Sequence, residues 1–187
     1  MGKDKANLSF MGQPLIQRIL QRGQTLAGEV LVVTNHPEDF AYLRVPLAMD
    51  ILPPAGPLIG LYTALHKAQT SSLVAVGCDM PFINTDLLAY QLDILENEVN
   101  DLVIPQHAGG LEPLHAAYRR ETCLAAVEAA LEEGERSLTG WLDRVKARRL
   151  PESLLRSFDP DLQAFINLNT PQEYQLVEGV PNWAGLT

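Results

Sequence analysis

The hydrophobic residues of this chain occur in two alternating patterns. Three short runs are apolar at nearly every position: residues 29–34 (EVLVVT), 73–78 (LVAVGC) and 102–105 (LVIP). Continuous apolar runs are typical of strands that are buried on both faces of a parallel sheet. Stretches with apolar residues at helical spacing lie between them, as in residues 57–69 and 84–98. This alternation predicts a three-layer α/β domain with a mainly parallel sheet that includes residues 30–34 and 73–78.

The two ends of the chain extend the alternation. Residues 14–23 (PLIQRILQRG) begin with a proline and end with a glycine, as expected of a helix with one apolar face. Residues 164–179 (AFINLNTPQEYQLVEG) predict a short strand, a turn and a last helix. The length of 187 residues suits one domain, which we place at residues 1–178, with residues 179–187 as a C-terminal tail.

The composition narrows the classes of function. The chain has 14 Lys and Arg residues against 23 Asp and Glu residues, a formal net charge of −9, so it lacks the basic footprint of a nucleic-acid-binding protein. No apolar run approaches the roughly 20 residues of a membrane span. Cys78 and Cys123 form neither a disulfide framework nor a CxxC pair, so we expect a cytoplasmic protein. The four histidines lack metal-ligand spacing, which favours surface or internally hydrogen-bonded roles.

One candidate for chemistry lies where the second apolar run ends. In residues 74–83 (VAVGCDMPFI), Asp79 follows the predicted strand directly and Pro81 stops it. A doubly wound sheet binds its ligand at the carboxyl ends of its strands. A carboxylate there can hold a hard cation such as Mg²⁺, together with phosphate oxygens and waters. The alternative is an aspartate that caps a turn.

Other polar residues follow strands or bends in the same way. Asn35 ends the first apolar run with an amide that could contact a base edge or a ribose. Asp50 and Gly56 flank a proline-rich bend before a helix, where a glycine lets a ligand approach the backbone closely. Asn167 and Asn169 occupy alternate positions of a predicted strand, so their side chains would point the same way. Turn formation explains the bend equally well, and helix capping accounts for at least part of the asparagine pair.

Several of these stretches together resemble one enzyme family. They are MGKDKANLSFMGQPL (residues 1–15), VVTN (32–35), DILPPAGPLIGL (50–61), CDMPF (78–82), EPLHAAY (112–118) and NLNTPQE (167–173). In this order they resemble the molybdenum cofactor guanylyltransferase family, within the nucleotidyltransferases with a Rossmann-like fold, over nearly the whole chain. The resemblance implies transfer of GMP from GTP to molybdopterin with release of pyrophosphate.

The resemblance also implies roles for individual residues. Asp79 would be the Mg²⁺ ligand, and Lys5 would hold the nucleotide phosphates as a point charge. Asn35 and Asp50 match family positions that contact the nucleotide, and Gly56 belongs to the same stretch. Asn167 and Asn169 would line the same cleft, and Glu112 would support the acceptor side. Asn35 and Asp79 are expected to lie at one edge of the sheet. Transient contact with other proteins of molybdenum cofactor biosynthesis, or with molybdoenzymes, is a further expectation.

The start of the chain differs from the family pattern LAGGxSxRMGxDKAxL. Met1 aligns with the internal methionine of that pattern, so the preceding strand and glycine-rich loop are not part of the sequence. In the family that strand is central to the sheet and the loop amides wrap the nucleotide. We therefore expect a longer natural protein, and weaker nucleotide binding by the chain as given.

Two alternatives of other kinds stay open at this point. One is a nucleotidyltransferase with a different pair of substrates, such as CTP with the pterin or a nucleotide with a sugar phosphate. The other is a non-enzymatic binding module, for which the absent glycine-rich loop argues. We expect GTP to be preferred because the motifs match the guanylyl branch most closely.

Overall fold

The computed structural model describes residues 5–10, 12–26 and 28–168. Its strands are β1 (Ser9–Phe10), β2 (Gln13–Pro14), β3 (Val32–Val33), β4 (Leu47–Ala48), β5 (Ser72–Val76), β6 (Leu102–His107), β7 (Gly110–Leu111), β8 (His115–Arg119) and β9 (Ala147–Pro151). Its α-helices are α1 (Leu15–Gly23), α2 (Pro57–Lys67), α3 (Thr85–Asn97), α4 (Arg120–Glu132) and α5 (Glu152–Phe158). No helix in these ranges is both long and apolar enough to cross a membrane.

The helices follow the sequence prediction closely. Helix α1 begins directly after Pro14, and Pro57 occupies the first turn of α2, where a proline loses no helical hydrogen bond. Asn84 caps α3, since its side-chain oxygen accepts a hydrogen bond from the N–H of Leu87 (2.9 Å). The predicted helices over residues 14–23, 57–69 and 84–98 are therefore confirmed to within two residues at each end.

The main sheet has five strands, with β8 between β5 and β6. Strands β5 and β6 both pair with β8 in antiparallel fashion, β7 pairs with the end of β6 in the same way, and β9 pairs with β6 in parallel. Strands β5, β6 and β9 consequently run in one direction, and β8 and β7 run against them. The α/β class is confirmed, but the prediction of a mainly parallel sheet is wrong for the described strands.

The length of one connection explains this difference. Only residues 108–114 separate β6 from β8, and they include β7. A parallel neighbour requires a crossover of a dozen or more residues, whereas an antiparallel neighbour needs only a short turn. The returning strand β8 is moreover completely buried over its first four residues, so its apolar pattern alone does not distinguish the two arrangements.

Two apolar cores on opposite faces of the sheet confirm the predicted three layers. Along β6, Val103 packs into a core with α1, α3 and α5, whereas Leu102 and Ile104 pack into a second core with α2 and α4. Alternation of side chains along a strand sends neighbouring residues to opposite faces. The sheet is therefore covered by helices on both sides.

The first predicted strand lies outside this sheet. Instead of residues 30–34, the pairing extends only over β3, which forms a two-stranded parallel sheet with β4. A third, small core joins these strands to the outer face of α1 through Ile16 and Leu20. Strand β5 is half-buried at all five positions rather than buried, because within the described residues it pairs with β8 alone.

The C-terminal prediction is corrected in part. Residues Gln163–Phe165 form a 3-10 helix, and residues 166–168 have no strand pairing. The predicted last helix and the tail lie outside the described residues. Asn167 therefore does not lie on a strand, so the prediction that one strand points Asn167 and Asn169 the same way is wrong at Asn167.

Candidate active site

Asp79 lies in a tight turn directly after β5. Its main-chain carbonyl accepts a hydrogen bond from the N–H of Leu168 (2.9 Å), and the N–H of Met80 donates to the carbonyl of Gly77 (3.3 Å). A Cβ on residue 77 would lie 2.7 Å from Asp79 Oδ1, so the glycine gives the carboxylate room over the turn. The backbone under Asp79 is thus fixed both from within the turn and from the far end of the described chain.

Asp79 shares a small cavity with residues from distant parts of the sequence. The cavity has a volume of about 190 Å³ and is lined by Asp79, Met80, Glu112, Pro113, Leu114, Leu138 and Asn167. Among the described lining residues the charged groups are two carboxylates, and none of these residues is a lysine or an arginine. The structure therefore brings Asp79, Glu112 and Asn167 together around one cavity.

The segment 112–114 that lines this cavity is held by hydrogen bonds to its main chain. The Pro113 carbonyl accepts from the hydroxyl of Tyr118, and the Leu114 carbonyl accepts from the Gly77 N–H (2.9 Å). Complete burial raises the pKa of the Tyr118 hydroxyl, so that it stays protonated and can donate. The bond to Gly77 ties this segment to the turn that carries Asp79.

Glu112 has a partner that sequence analysis missed. His107 Nε2 lies 2.8 Å from Glu112 Oε1, and His107 Nδ1 accepts a hydrogen bond from the Gly109 N–H (3.0 Å). In a neutral imidazole the accepting nitrogen carries no proton, so the proton is on Nε2 and is donated to Glu112. The ring of His107 also stacks on Phe165, with centroids 5.0 Å apart. The available sequence signal was the Gly109–Gly110 turn, which folds residues 107 and 112 toward each other.

His115, at the start of β8, is fully buried beside the same aromatic ring. Its Nε2 accepts a hydrogen bond from the Asn84 N–H (3.1 Å), and its ring meets Phe165 edge to face at 5.3 Å. Burial lowers the pKa of His115 to about 4, so the ring is neutral near pH 7. Phe165 therefore contacts the rings of both His107 and His115. Asn167, two residues further along the chain, lines the cavity.

A second polar cluster lies directly after β3 and β4. Asn35 Nδ2 donates to Asp50 Oδ2 (2.8 Å), and the Asp50 N–H donates to Asn35 Oδ1 (3.1 Å). The Thr63 hydroxyl, on α2, donates to Asp50 Oδ1 (3.5 Å) and accepts from the Ile51 N–H (3.2 Å). The structure thus pairs the predicted residues Asn35 and Asp50, while Thr63 carried no signal within an otherwise apolar helix face.

Gly56 has an explanation within the fold. Its φ of 128° is a conformation that residues with a Cβ rarely adopt, and an added Cβ would lie 3.1 Å from the Arg136 carbonyl oxygen. That carbonyl accepts a hydrogen bond from the Leu58 N–H (3.3 Å). The close approach at Gly56 is therefore made by the chain itself, and contact of Gly56 with a ligand stays a prediction.

The two polar clusters belong to separate sheets within the described residues. Helix α2 packs against both β3 and β5, and no hydrogen-bonded ladder between these two strands is found in the described part of the chain. That Asn35 and Asp79 share one edge consequently stays a prediction. Lys5 begins a 3-10 helix, Lys5–Asn7, and Asn169 lies outside the described residues.

The chemistry of the cavity follows from its two carboxylates. Across the described ranges, no group of three or more His, Cys, Asp or Glu side chains is arranged to hold a metal ion. Mg²⁺ is, however, usually bound through one or two carboxylates plus substrate phosphates, so a single carboxylate such as Asp79 can serve when phosphates are present. These carboxylates repel a phosphate unless a cation lies between them. An N–H group, in contrast, can donate a hydrogen bond to them directly.

Comparison with known proteins places these observations in context. The family model of the MobA-like NTP transferase domain matches residues 1–147. A molybdenum cofactor guanylyltransferase from Desulfosudis oleivorans is 29% identical over 177 residues, 95% of this chain and 87% of the relative. A probable molybdenum cofactor guanylyltransferase from Nostoc sp. is 32% identical over 185 residues, 96% and 84% of the two chains. The crystal structure of molybdopterin-guanine dinucleotide biosynthesis protein A from Archaeoglobus fulgidus has a TM-score of 0.81 at 26% identity, covering 95% of this chain and 90% of that chain.

Proposed function

This chain belongs to the MobA-like NTP transferase family, and we propose that it transfers a GMP unit from GTP to the phosphate of molybdopterin and releases pyrophosphate. The family predicted from the motifs is confirmed. Relatives called molybdenum cofactor guanylyltransferase match over more than nine-tenths of the chain, which supports both the nucleotidyltransferase activity and the two substrates.

The proposed reaction exchanges one phosphorus–oxygen bond for another. An oxygen of the molybdopterin phosphate attacks the α-phosphorus of GTP. The bond from the α-phosphorus to the oxygen that bridges to the β-phosphorus breaks, and pyrophosphate leaves with that electron pair. Such a reaction needs no covalent intermediate on the protein, so the side chains contribute by positioning the substrates and by neutralising charge.

Asp79 fits the role of a Mg²⁺ ligand. Its side chain is partly exposed, lines the cavity and lies at the carboxyl end of β5, where phosphates bind in sheets of this kind. Glu112 and Asn167 add further oxygen atoms to the same cavity. When bound, Mg²⁺ would offset the negative charge of the phosphate oxygens. Asp79 would hold it and would keep the α-phosphate beside the acceptor.

The remaining predicted residues divide between the two substrates. Asn35 and Asp50 would contact the nucleoside part of GTP, since their mutual hydrogen bonds fix both side chains in position. Lys5 would pair with the phosphates as a point charge. Asn167 lines the cavity of Asp79 and, with Asn169, would bind on the acceptor side.

The observation that carries the proposal is the cavity shared by Asp79, Glu112 and Asn167. The test is to incubate the purified chain with Mg²⁺, molybdopterin and one of GTP, CTP or ATP, and to quantify dinucleotide cofactor and pyrophosphate. We expect the guanine dinucleotide and the fastest reaction with GTP. Faster reaction with CTP would move the protein to the cytidylyl branch, and nucleotide binding without any transfer would favour a binding module.

The predicted location and partners belong to the same proposal. Both substrates would be met in the cytoplasm, and the product would pass to a molybdoenzyme or to another protein of cofactor biosynthesis. Fluorescence microscopy of the tagged chain and cross-linking in cells would check these two expectations.

A further inference from the structure

Glu112, the second carboxylate of the cavity, is held in one orientation by a hydrogen bond from His107. From the contacts of Glu112 we propose that it binds ring N–H donors of the acceptor heterocycle, and that His107 is a positioning residue for it. This inference rests on the proposed function, because it concerns the acceptor half of the same site.

The orientation of Glu112 leaves one oxygen available to a ligand. Oε1 accepts the Nε2–H of His107 at 2.8 Å, and no partner for Oε2 is found among the described residues. The Glu112 side chain is 17% exposed and lines the cavity with Asp79. A ligand that donates a hydrogen bond to this oxygen would gain affinity, because hydrogen bonds to an ionised carboxylate are stronger than those between neutral groups.

His107 fixes this orientation through three independent contacts. Its Nδ1 accepts from the Gly109 N–H, its Nε2–H is donated to Glu112, and one ring face stacks on Phe165. A rotation of the ring by half a turn would place a C–H group against Glu112 and would lose both hydrogen bonds. Gly109 is also required, since a Cβ there would lie 2.6 Å from His107 Cε1.

The charge of the cavity selects the kind of ligand group. Two carboxylates line it without a basic side chain among its described lining residues, so a bare anion is repelled. One carboxylate is accounted for by the proposed Mg²⁺ ligand Asp79. For Glu112 the complementary partner is a neutral group rich in N–H donors, such as the ring nitrogens of a reduced pterin. The nucleoside contacts proposed for Asn35 and Asp50 lie on the other sheet, which leaves the Glu112 side to the acceptor.

Glu112→Gln tests the binding role, because it keeps the size of the side chain and removes its charge. We expect the KM for molybdopterin to rise about tenfold, with kcat and the KM for GTP changed by less than about threefold, as for loss of one charge-assisted hydrogen bond. Glu152→Gln is the matched control. Glu152, at the start of α5, accepts a hydrogen bond from the N–H of Ala108 (2.9 Å), which belongs to the same hairpin as Glu112. Glu152 does not line the cavity.

His107→Phe tests the positioning role, because it preserves the aromatic stacking on Phe165 and removes the hydrogen bond to Glu112. We expect a rise of about threefold to tenfold in the same KM, and no further rise when the substitution is combined with Glu112→Gln. Effects that multiply in the double variant, or a His107→Phe effect confined to thermal stability, would overturn the positioning role.

A calorimetric titration with molybdopterin alone separates this inference from the proposed function. Weaker binding by Glu112→Gln, with unchanged binding by Glu152→Gln, supports the inference even if no variant forms the dinucleotide. Equal binding by all three proteins, or no binding to the unsubstituted chain, overturns it. An unsubstituted chain that forms the dinucleotide while Glu112→Gln shows a normal KM would overturn the inference and leave the proposed function standing.

Discussion

The two polar clusters of this molecule are built in different ways. The cavity of Asp79 and Glu112 lies on a five-stranded sheet with a core on each face, and main-chain hydrogen bonds from three segments fix its walls. The pair of Asn35 and Asp50 follows two two-residue strands that share one small core, and its side chains are exposed or half-exposed.

We propose that the two clusters have different tasks in the reaction, in line with this difference. Groups at the reacting phosphate must be held to within fractions of an ångström, which requires a rigid surrounding structure. Groups that recognise a nucleoside can tolerate a less constrained scaffold, because their task is equilibrium binding. We therefore expect substitutions in the first cluster to affect turnover or the acceptor, and substitutions in the second to affect GTP affinity.

The largest effect is expected from Asp79→Asn. The substitution keeps the shape of the side chain but removes the charge that attracts a hard cation. Turnover should fall at least about 10²-fold at saturating substrates, equivalent to roughly 2.7 kcal/mol of transition-state stabilisation. Initial-rate measurements over a range of Mg²⁺ concentrations check this.

Asp143→Asn is the control for that experiment. Asp143 is exposed in a 3-10 helix outside both clusters, and its loss of charge should leave turnover within about twofold. A near-normal rate for Asp79→Asn at high Mg²⁺ would remove Asp79 from the mechanism and with it the division proposed between the clusters.

A smaller effect concerns the pH dependence of stability. His115 has a pKa of about 4 in the folded chain and about 6.5 when unfolded, so below pH 6.5 the unfolded chain binds a proton that the folded chain excludes. Its contribution is complete above pH 6.5 and is lost as the pH falls toward 4. Between pH 7 and pH 5 this amounts to about 2 kcal/mol.

Urea denaturation at several pH values measures this effect. His115→Gln can still accept the Asn84 N–H but does not titrate, so the unsubstituted chain should lose about 2 kcal/mol more than the variant. Parallel pH dependences for the two proteins would show that His115 does not titrate differently on folding. An NMR titration of the His115 ring gives its pKa directly if the variant fails to fold.

The smallest effect is expected in the second cluster. Asn35→Ala removes both hydrogen bonds to Asp50, and the KM for GTP should rise about tenfold, or roughly 1.4 kcal/mol, with kcat nearly unchanged. Asn97→Ala is the matched control, since the Asn97 amide donates to Asp93 on the exposed face of α3, outside both clusters. A loss of kcat without a change in the KM for GTP would contradict the division between the clusters.

The sequence predicted some features because their causes are local. The ends of α1, α2 and α3 were predicted to within two residues. The signals were the helical spacing of apolar residues, the cap at Asn84 and the prolines at helix starts. The direction of β8 depends on the length of the connection from β6, and the half-burial of β5 depends on the number of strands that pair with it. An apolar pattern shows neither of these. Asp79 was singled out by its position after an apolar run, and Glu112 by the family resemblance. His107 was missed because its role comes from a contact across a glycine turn.

A crystal structure of the chain with Mg²⁺ and a GTP analogue that has a methylene group between the α- and β-phosphorus atoms would show whether the two clusters bind one nucleotide. If the two clusters are halves of one site, the nucleoside will lie against Asn35 and Asp50. The α-phosphate and the cation will then lie beside Asp79, with Glu112 facing an empty acceptor position. A nucleotide bound away from either cluster, or Asn35 and Asp79 on opposite edges of the fold, would contradict the account.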